Sequence, residues 1–406
     1  MHFFPILATL RRHRAAAALI VLEIALTCAI VCNTIFLIGE RLARMTRPSG
    51  IAEDELLHVE LAGDSKQTDG SAVIAQDLAA LRAIPGVRSV AGTNIVPFGT
   101  TSSTPDVSTI PGDPSPPLRA AMYLGSPELL ETLGVRLTAG RDFTPEEYID
   151  VNALLAGRAF PASAIVTRGL ADALFPGQSP LGRSLYVLGK QPHVVVGVID
   201  RLARPNEPEG AKTSGYAFLL PVAATYMAGI HYLLRVDPAR RAEVLGGVDA
   251  ALDRVDPSRI VLTRQTITEL RRGYYQQDRA MAYLLTGVSL ALLVITALGI
   301  IGLASFWVQQ RTRQIGIRRA LGATRGDIVR YFQLENLILT TAGIAAGMGL
   351  AYAINLWLMD AYQVARLPAG VLPVGAALLW LLGQLAVLGP ARRAAAIPPA
   401  IATRTV

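Results

Sequence analysis

Four long stretches almost free of charge constrain this chain more than any other feature. Ala15 to Gly39 is interrupted only by Glu23, and Met281 to Val308 carries no charge. The same is true of Asn336 to Met359 and of the stretch between Arg366 and Arg392. Each exceeds the roughly 20 residues that an α-helix needs to cross about 30 Å of hydrocarbon at 1.5 Å per residue. Transmembrane helices are therefore expected over 15–40, 280–308, 336–359 and 371–390. Only 17% of the residues are charged, against about a quarter in soluble domains, as bilayer exposure requires. Arg11, Arg12 and Arg14 precede the first stretch as they would in a signal peptide. Its apolar run is too long for a signal core of about 7–15 residues, and no A-x-A-like cleavage site follows, so a retained helix is expected.

A polar region at 41–279, about 240 residues, separates the first stretch from the rest and is large enough for one or two domains. Leu56 to Leu61 reads as a strand and Ala72 to Ile84 as an amphipathic helix; Pro85 and Gly86 then turn into a strand from Val87. The pattern recurs as a strand over Tyr232 to Val236, a helix over Ala239 to Val255, and a strand at Ile260 to Leu262. Two such units predict a split α/β module, 51–120 with 215–275. An inserted lobe is expected at about 120–210, with Val194 to Val198 as a buried strand. The Ser-, Thr-, Pro- and Gly-rich Thr100 to Pro117 is expected to be a mobile loop. Gly177 to Ser184 nearly matches a phosphate-binding loop. It has Arg183 where lysine belongs, and a strand rather than a helix is expected to follow, so a simple turn is the better reading.

The fold class expected is a polytopic α-helical membrane protein with four transmembrane helices. A large α+β extracytoplasmic domain is inserted between helices one and two. Orientation comes from arginines. Arg41, Arg44 and Arg47 balance those before the first helix, so that helix decides nothing. The segment 309–335 carries Arg311, Arg313, Arg318, Arg319, Arg325 and Arg330 against Asp327 and Glu335, and Arg392, Arg393 and Arg404 follow helix four. Both face the cytoplasm by the positive-inside rule, whereas the outer loop 360–370 has only Arg366. The amphipathic segment 1–14 and the tail 391–406 are then cytoplasmic, and the large domain lies outside an inner membrane. A net charge of +7 raises the question of nucleic acid, but arginines placed at the ends of apolar runs serve topology and lipid, not a nucleic-acid face.

No catalytic constellation is present. The five histidines form no H-E-x-x-H pair, and there is neither a G-x-S-x-G elbow nor a C-x-x-C. No metal or other cofactor is expected on this chain. Cys28 and Cys32, spaced i, i+4 within the first stretch, read as small packing residues. Glu23, the one ionisable residue inside a span, is either functional or snorkels and pairs near the inner interface. Gly343, Gly347 and Gly349 form a small-residue face for close helix packing, and Asn355 and Gln384 are expected to hydrogen-bond between helices.

The most informative stretch is Arg311 to Thr324, R-T-R-Q-I-G-I-R-R-A-L-G-A-T. By composition alone it is a basic amphipathic segment beside a bilayer. In order it closely resembles the cytoplasmic signature of the FtsX-like permease family, which includes MacB-type and lipoprotein-release-type transporter subunits. Glu131 to Phe143, Phe175 to Arg183 and Pro390 to Ala400 resemble further recurring segments of that family, so the resemblance covers nearly the whole chain. It implies an ABC transporter permease subunit that is not itself an enzyme. It would work as a homo- or heterodimer with a separate cytoplasmic ATPase subunit that binds ATP and Mg, and a periplasmic adaptor and outer-membrane channel are further candidate partners. It also implies a coupling helix in which Arg313, Ile315, Gly316, Ile317, Arg318, Arg319, Leu321, Gly322 and Ala323 meet the ATPase. Ile315, Ile317 and Leu321 would make apolar contacts, and Arg318 and Arg319 would pair with acidic groups or headgroups. The expected activity is export or extraction of an amphiphilic substrate: a peptide, lipopeptide, lipoprotein or drug. The alternative is a mechanotransmitting regulator that couples the ATPase to an outer enzyme or sensor without transport.

Overall fold

A computed structural model describes residues 14–62, 70–187, 189–205, 215–223, 230–258, 260–362 and 366–398. The expected amphipathic segment 1–14, apart from Arg14, and the tail beyond 398 lie outside those residues. The chain divides into an α/β unit, Arg47–Gln276, and a helical unit formed by Met1–Thr46 with Gln277–Val406.

The α/β unit has nine principal strands: β1 (Leu56–Leu61), β2 (Val87–Thr93), β3 (Ala121–Leu124), β4 (Leu137–Gly140), β5 (Ser163–Thr167), β6 (His193–Ile199), β7 (Ala217–Leu220), β8 (Ile230–Val236) and β9 (Val261–Thr266). The helices used below are α1 (Arg14–Met45), α2 (Gly70–Arg82), α3 (Arg241–Asp253), α4 (Ile267–Tyr274), α5 (Gln276–Gln310), α6 (Thr312–Ala320), α7 (Arg325–Tyr362) and α8 (Val371–Ala395).

The two strand–helix–strand segments meet in one antiparallel sheet of order β9-β1-β8-β2. Side chains alternate across a strand. Leu57, Val59 and Leu61 of β1 and Tyr232, Leu234 and Val236 of β8 thus share one face. There they pack with Ile74 and Leu81 of α2 and with Val244, Val248 and Leu252 of α3. In that core the Tyr232 hydroxyl donates to Asp77 Oδ2 at 2.7 Å. The opposite face of β1 carries His58 and Glu60.

The inserted lobe is a mixed sheet of order β3-β7-β5-β6-β4. Its β6 contains the apolar run at Val194–Val198 and is flanked by parallel β5 and antiparallel β4. The near-phosphate loop leads into a short strand, Ser184–Leu185, that pairs with β6. No helix N-terminus follows it, so the loop lacks what would hold phosphate. The segment Thr100 to Pro117, expected to be mobile, is instead pinned. Asp106–Val107 pairs with Leu118–Arg119, and Ser108 exchanges backbone hydrogen bonds with Tyr186 at 3.0 and 2.8 Å. Backbone pairing across 78 residues of sequence, which composition does not report, holds it in place.

In the helical unit, α1, α5, α7 and α8 are each long and apolar enough to cross a membrane. Helix α7 lies along α1 because glycines remove the side chains between them. A Cβ on Gly343 would stand 2.7 Å from Ile24 Cβ, and one on Gly347 2.5 Å from Cys28 Cβ and 2.7 Å from the Ala25 carbonyl oxygen. Gly349 meets nothing within 4 Å. The three-glycine face is therefore corrected to two: residue 349 is two positions beyond 347, about 200° around a helix of 3.6 residues per turn. Cys32 Sγ sits over Gly375 of α8, and Gly383 leaves room for Thr340 and Asn336 of α7. Both cysteines are free and buried. Asn33 Nδ2 donates to the Ala351 carbonyl at 3.1 Å.

Helix α5 is packed differently. Leu284, Leu290, Val294, Ile295 and Leu298 are all more than half exposed, and its contacts with α1 are partly polar. Thr27 and Thr296 hydroxyls lie 2.8 Å apart. One turn away, the half-buried Glu23 carboxylate covers Gly299, where a Cβ would stand 2.6 Å from both carboxylate oxygens. At the far end of these helices Arg41 Nη1 is 2.5 Å from Asp278 Oδ1, with Arg44 at 3.9 Å. That pairing offsets the positive charge that leaves the first helix undecided in the sequence.

Candidate functional site

The signature segment resolves into a helix, a turn and the start of a second helix, each set by named residues. Helix α6 ends in a Schellman motif: Ala323 N–H donates to Arg318 C=O at 3.0 Å and Gly322 N–H to Arg319 C=O at 3.2 Å. Gly322 sits at φ +99°, a left-handed conformation that costs other residues roughly 1–2 kcal/mol. Thr324 and Asp327 then form a capping box. Asp327 Oδ2 accepts from the Thr324 backbone N–H at 2.9 Å and its hydroxyl at 2.6 Å, and Asp327 N–H donates back to Thr324 Oγ1 at 3.2 Å. Helix α7 thus begins at Arg325, so the second part of the expected coupling segment 309–335 is the opening of a membrane-length helix.

The nine-residue α6 is fastened to three long helices. Arg311, between α5 and α6, reaches Glu335 of α7: Nη1 is 3.0 Å from both carboxylate oxygens, and the guanidinium carbon lies 5.6 Å from the Trp307 ring centre. Ile315 is 5% exposed and joins the core that contains Ile328 and Phe332 of α7. Arg318 stacks on Tyr331 at 4.8 Å. Arg319 Nη1 donates to the Ala395 carbonyl, the last residue of α8, at 2.6 Å. A cation there also suits the negative end of the helix dipole.

These contacts sort the expected site residues. Ile315 and Gly316 are buried against the chain's own helices, so Ile315 packs inward and offers no docking contact. Arg319 is committed to the end of α8, not to an outside acid. Ala323 is half-buried beside the same core. Arg313, Ile317, Arg318, Leu321 and Gly322 are exposed, Ile317 by 46% and Leu321 by 83%. Arg313, Ile317 and Leu321 are four residues apart and form one outward ridge.

The intramembrane polar residues part company. Asn355 Oδ1 accepts from Leu367 N–H at 2.8 Å, which ties α7 to the segment before α8 rather than to a helix. Gln384 approaches the Gln333 carbonyl only at 3.5 Å, the outer limit of a hydrogen bond.

One further group of polar side chains comes together in the α/β unit. His58 Nε2 and His231 Nδ1 are 3.0 Å apart, with Glu60 close by. Burial and the neighbouring His231 push His58 down to about 3; burial also lowers His231, with Glu60 opposing. Sequence reading missed this group because strand register, not spacing, assembles it. It also missed the Arg311–Glu335 pair, since both residues read as loop charges. Glu335 is the last charge before an uncharged run, and one helical turn decides whether such a residue lies in water or protein.

This fold and site define a polytopic membrane protein with a large α/β unit on one helix connection and a short helix locked to the bundle on another. The sequence pattern of the MacB-like periplasmic core domain matches residues 17–251, more than half of the chain, and that of the FtsX-like permease C-terminal domain matches 286–399. The chain belongs to the MacB/FtsX-like family of ABC transporter permeases.

Among its relatives, the macrolide export ATP-binding/permease protein MacB of Shewanella oneidensis is 26% identical over 353 residues, 83% of this chain and 50% of that protein. The pyoverdine export ATP-binding/permease protein PvdT of Pseudomonas putida is 29% identical over 240 residues, 56% of this chain and 35% of that one. The uncharacterized ABC transporter permease YknZ of Bacillus subtilis is 24% identical over 222 residues, 54% of this chain and 53% of that one. The chain spans about half the length, or less, of these relatives.

Proposed function

We propose that this chain is the membrane-spanning part of an export or extraction machine. An ABC ATPase subunit docks on the ridge of Arg313, Ile317 and Leu321, on the cytoplasmic side, and binds ATP and Mg. The observation that carries the reading is that two apolar side chains and an arginine are left exposed as one ridge on a segment otherwise tied to α5, α7 and α8 by Arg311, Arg318, Arg319 and Ile315. A push on α6 therefore reaches three membrane helices at once, and α5 follows the α/β unit directly in sequence, a unit that this reading assigns to the outer side of the inner membrane. The exposed apolar face of α5 meets lipid or a second permease subunit, a copy or a relative. The substrate is amphiphilic, handled at the outer face, with an adaptor and outer-membrane channel as further partners.

The test is to purify the tagged chain from its own host in mild detergent and identify what accompanies it. Ile317→Glu with Leu321→Glu is the paired variant, because both side chains are exposed and the fold should tolerate the change. An ABC ATPase should co-purify with wild type and be lost from the variant at unchanged thermal stability. Wild-type protein with no ATPase subunit and no ATP hydrolysis refutes the reading. A co-purifying cell-wall hydrolase would favour force transmission to an outer enzyme over transport.

A further inference from the structure

We propose that His58, Glu60 and His231 form a binding site for a divalent transition-metal ion of the zinc class. The site rests on β1 and β8 and is independent of the transport reading.

Its assembly follows from strand geometry. His58 and Glu60 are two apart on β1, so their side chains leave the same face. His231 is the register partner of Glu60 on antiparallel β8, and directly opposed residues of such a pair share a face at close range. One potential ligand atom from each of the three residues lies within 4.8 Å of the other two. His58 Nε2 and His231 Nδ1 are the nearest pair, at 3.0 Å. Ligand nitrogens bound at 2.0–2.1 Å to a tetrahedral zinc stand roughly 3.3 Å apart. The two nitrogens are therefore already near the spacing that a shared ion requires; the ion must displace the proton between them, and the Glu60 carboxylate must close in.

The environment agrees. His58 and His231 are 2% and 5% exposed, whereas Glu60 is half-buried. Two buried ligands hold an ion rigidly, and the half-open third leaves a side from which an ion enters and a water completes the shell. A shared proton between the rings accounts for one contact only. His58 Nδ1 is buried without a hydrogen-bond partner among the described residues, and an ion on Nε2 leaves it so. Two imidazoles and one carboxylate suit zinc, copper or nickel, and not magnesium or calcium, which take oxygen ligands. An ion held here would tie β1 to β8, strands that His58 and His231 place 173 residues apart. It would thereby join the two halves of the sheet that the inserted lobe interrupts.

The test uses the full-length untagged chain in detergent, stripped with EDTA and titrated with zinc by calorimetry and with cobalt by visible absorption. One ion per chain is expected, with a micromolar or tighter constant, tetrahedral-type cobalt bands and no response to magnesium. His58→Gln and His231→Gln should abolish binding. Glu60→Gln, at a half-exposed position where misfolding is not expected, should weaken it at least about tenfold, since even outer-shell changes cost that much. His2→Gln with His13→Gln should leave it unchanged. Absence of stoichiometric binding overturns the site, as does an affinity that Glu60→Gln leaves intact. The second result also covers the case in which both histidine variants fail to fold.

Discussion

Arg311 and Glu335 meet as a buried ion pair, Nη1 3.0 Å from both carboxylate oxygens, with side chains only 8% and 2% exposed. Removing one partner strands a charge, a change that costs about 3–5 kcal/mol at buried pairs, whereas replacing both with apolar residues is often neutral. Glu335→Ala should therefore sharply lower the unfolding temperature in detergent. Arg311→Met with Glu335→Leu should restore most of it. In complex with the proposed ATPase partner, the double variant should still show lowered ATP hydrolysis, because α5 and α7 no longer share the contact at α6. Circular dichroism melts and ATPase assays on the same preparations separate the two effects. A double variant as unstable as the single would show that the charges are not what Glu335→Ala disturbs.

The glycines of α7 give a sharper contrast. A methyl group at Gly347 would press on Cys28 Cβ at 2.5 Å and on the α1 backbone at 2.7 Å, while one at Gly349 meets nothing within 4 Å. Overpacking typically costs about 1–3 kcal/mol. Gly347→Ala should destabilise by about that amount, and Gly349→Ala should be neutral or slightly stabilising through helix propensity. Thermal melts of the two variants side by side make the comparison, and equal effects would contradict the packing of α7 on α1.

Why some of this was legible in sequence and some not comes down to range. The four spans follow from run length alone, and the two strand–helix–strand units from local periodicity punctuated by Pro85 and Gly86 or Asp256 and Pro257. The orientation of a single residue on a helix is harder. Ile315 and Ile317 look alike in sequence, yet two residues rotate one into the core and the other into solvent. Gly347 and Gly349 differ in the same way. Groups assembled by tertiary register were invisible: His58 with His231, Arg311 with Glu335, and Arg319 with the Ala395 carbonyl. Long-range pairing leaves no local pattern, and a charge at the edge of an apolar run looks the same whether it faces water or a partner.

A pH dependence follows from Glu147 in the inserted lobe. Its carboxylate takes hydrogen bonds from Arg141 at 2.7 and 2.8 Å, from the Thr144 backbone at 2.8 Å, and from Ser163. The Arg141 contact is the chief cause that lowers it to about 2. A folded-state value below the ordinary carboxylate value of about 4.3 contributes stability that is present above that value. The contribution is lost as pH falls from there toward 2. Arg141 is half exposed, so solvent screening keeps the effect modest. Unfolding temperature should fall more steeply below pH 4.5 in wild type than in Glu147→Gln. Parallel curves would show that the carboxylate is not held in its charged form.

The turn between α6 and α7 should control coupling more than folding. Gly322 holds the left-handed position that lets Ala323 N–H and Gly322 N–H close the Schellman motif, and Thr324 with Asp327 starts the next helix at once. Gly322→Ala strains that position by roughly 1–2 kcal/mol, and Thr324→Ala removes a cap worth about 0.5–2 kcal/mol. Neither change touches the Arg313, Ile317 and Leu321 ridge, so binding of the proposed ATPase partner should survive. What should change is the angle at which α6 leaves α7. Both variants should therefore retain the proposed partner in pull-downs while ATP hydrolysis by the complex falls severalfold. Restoring a capping side chain at the second site, with Thr324→Ser, should recover the rate. Loss of binding in Gly322→Ala would instead mean that the turn itself is part of the docking surface.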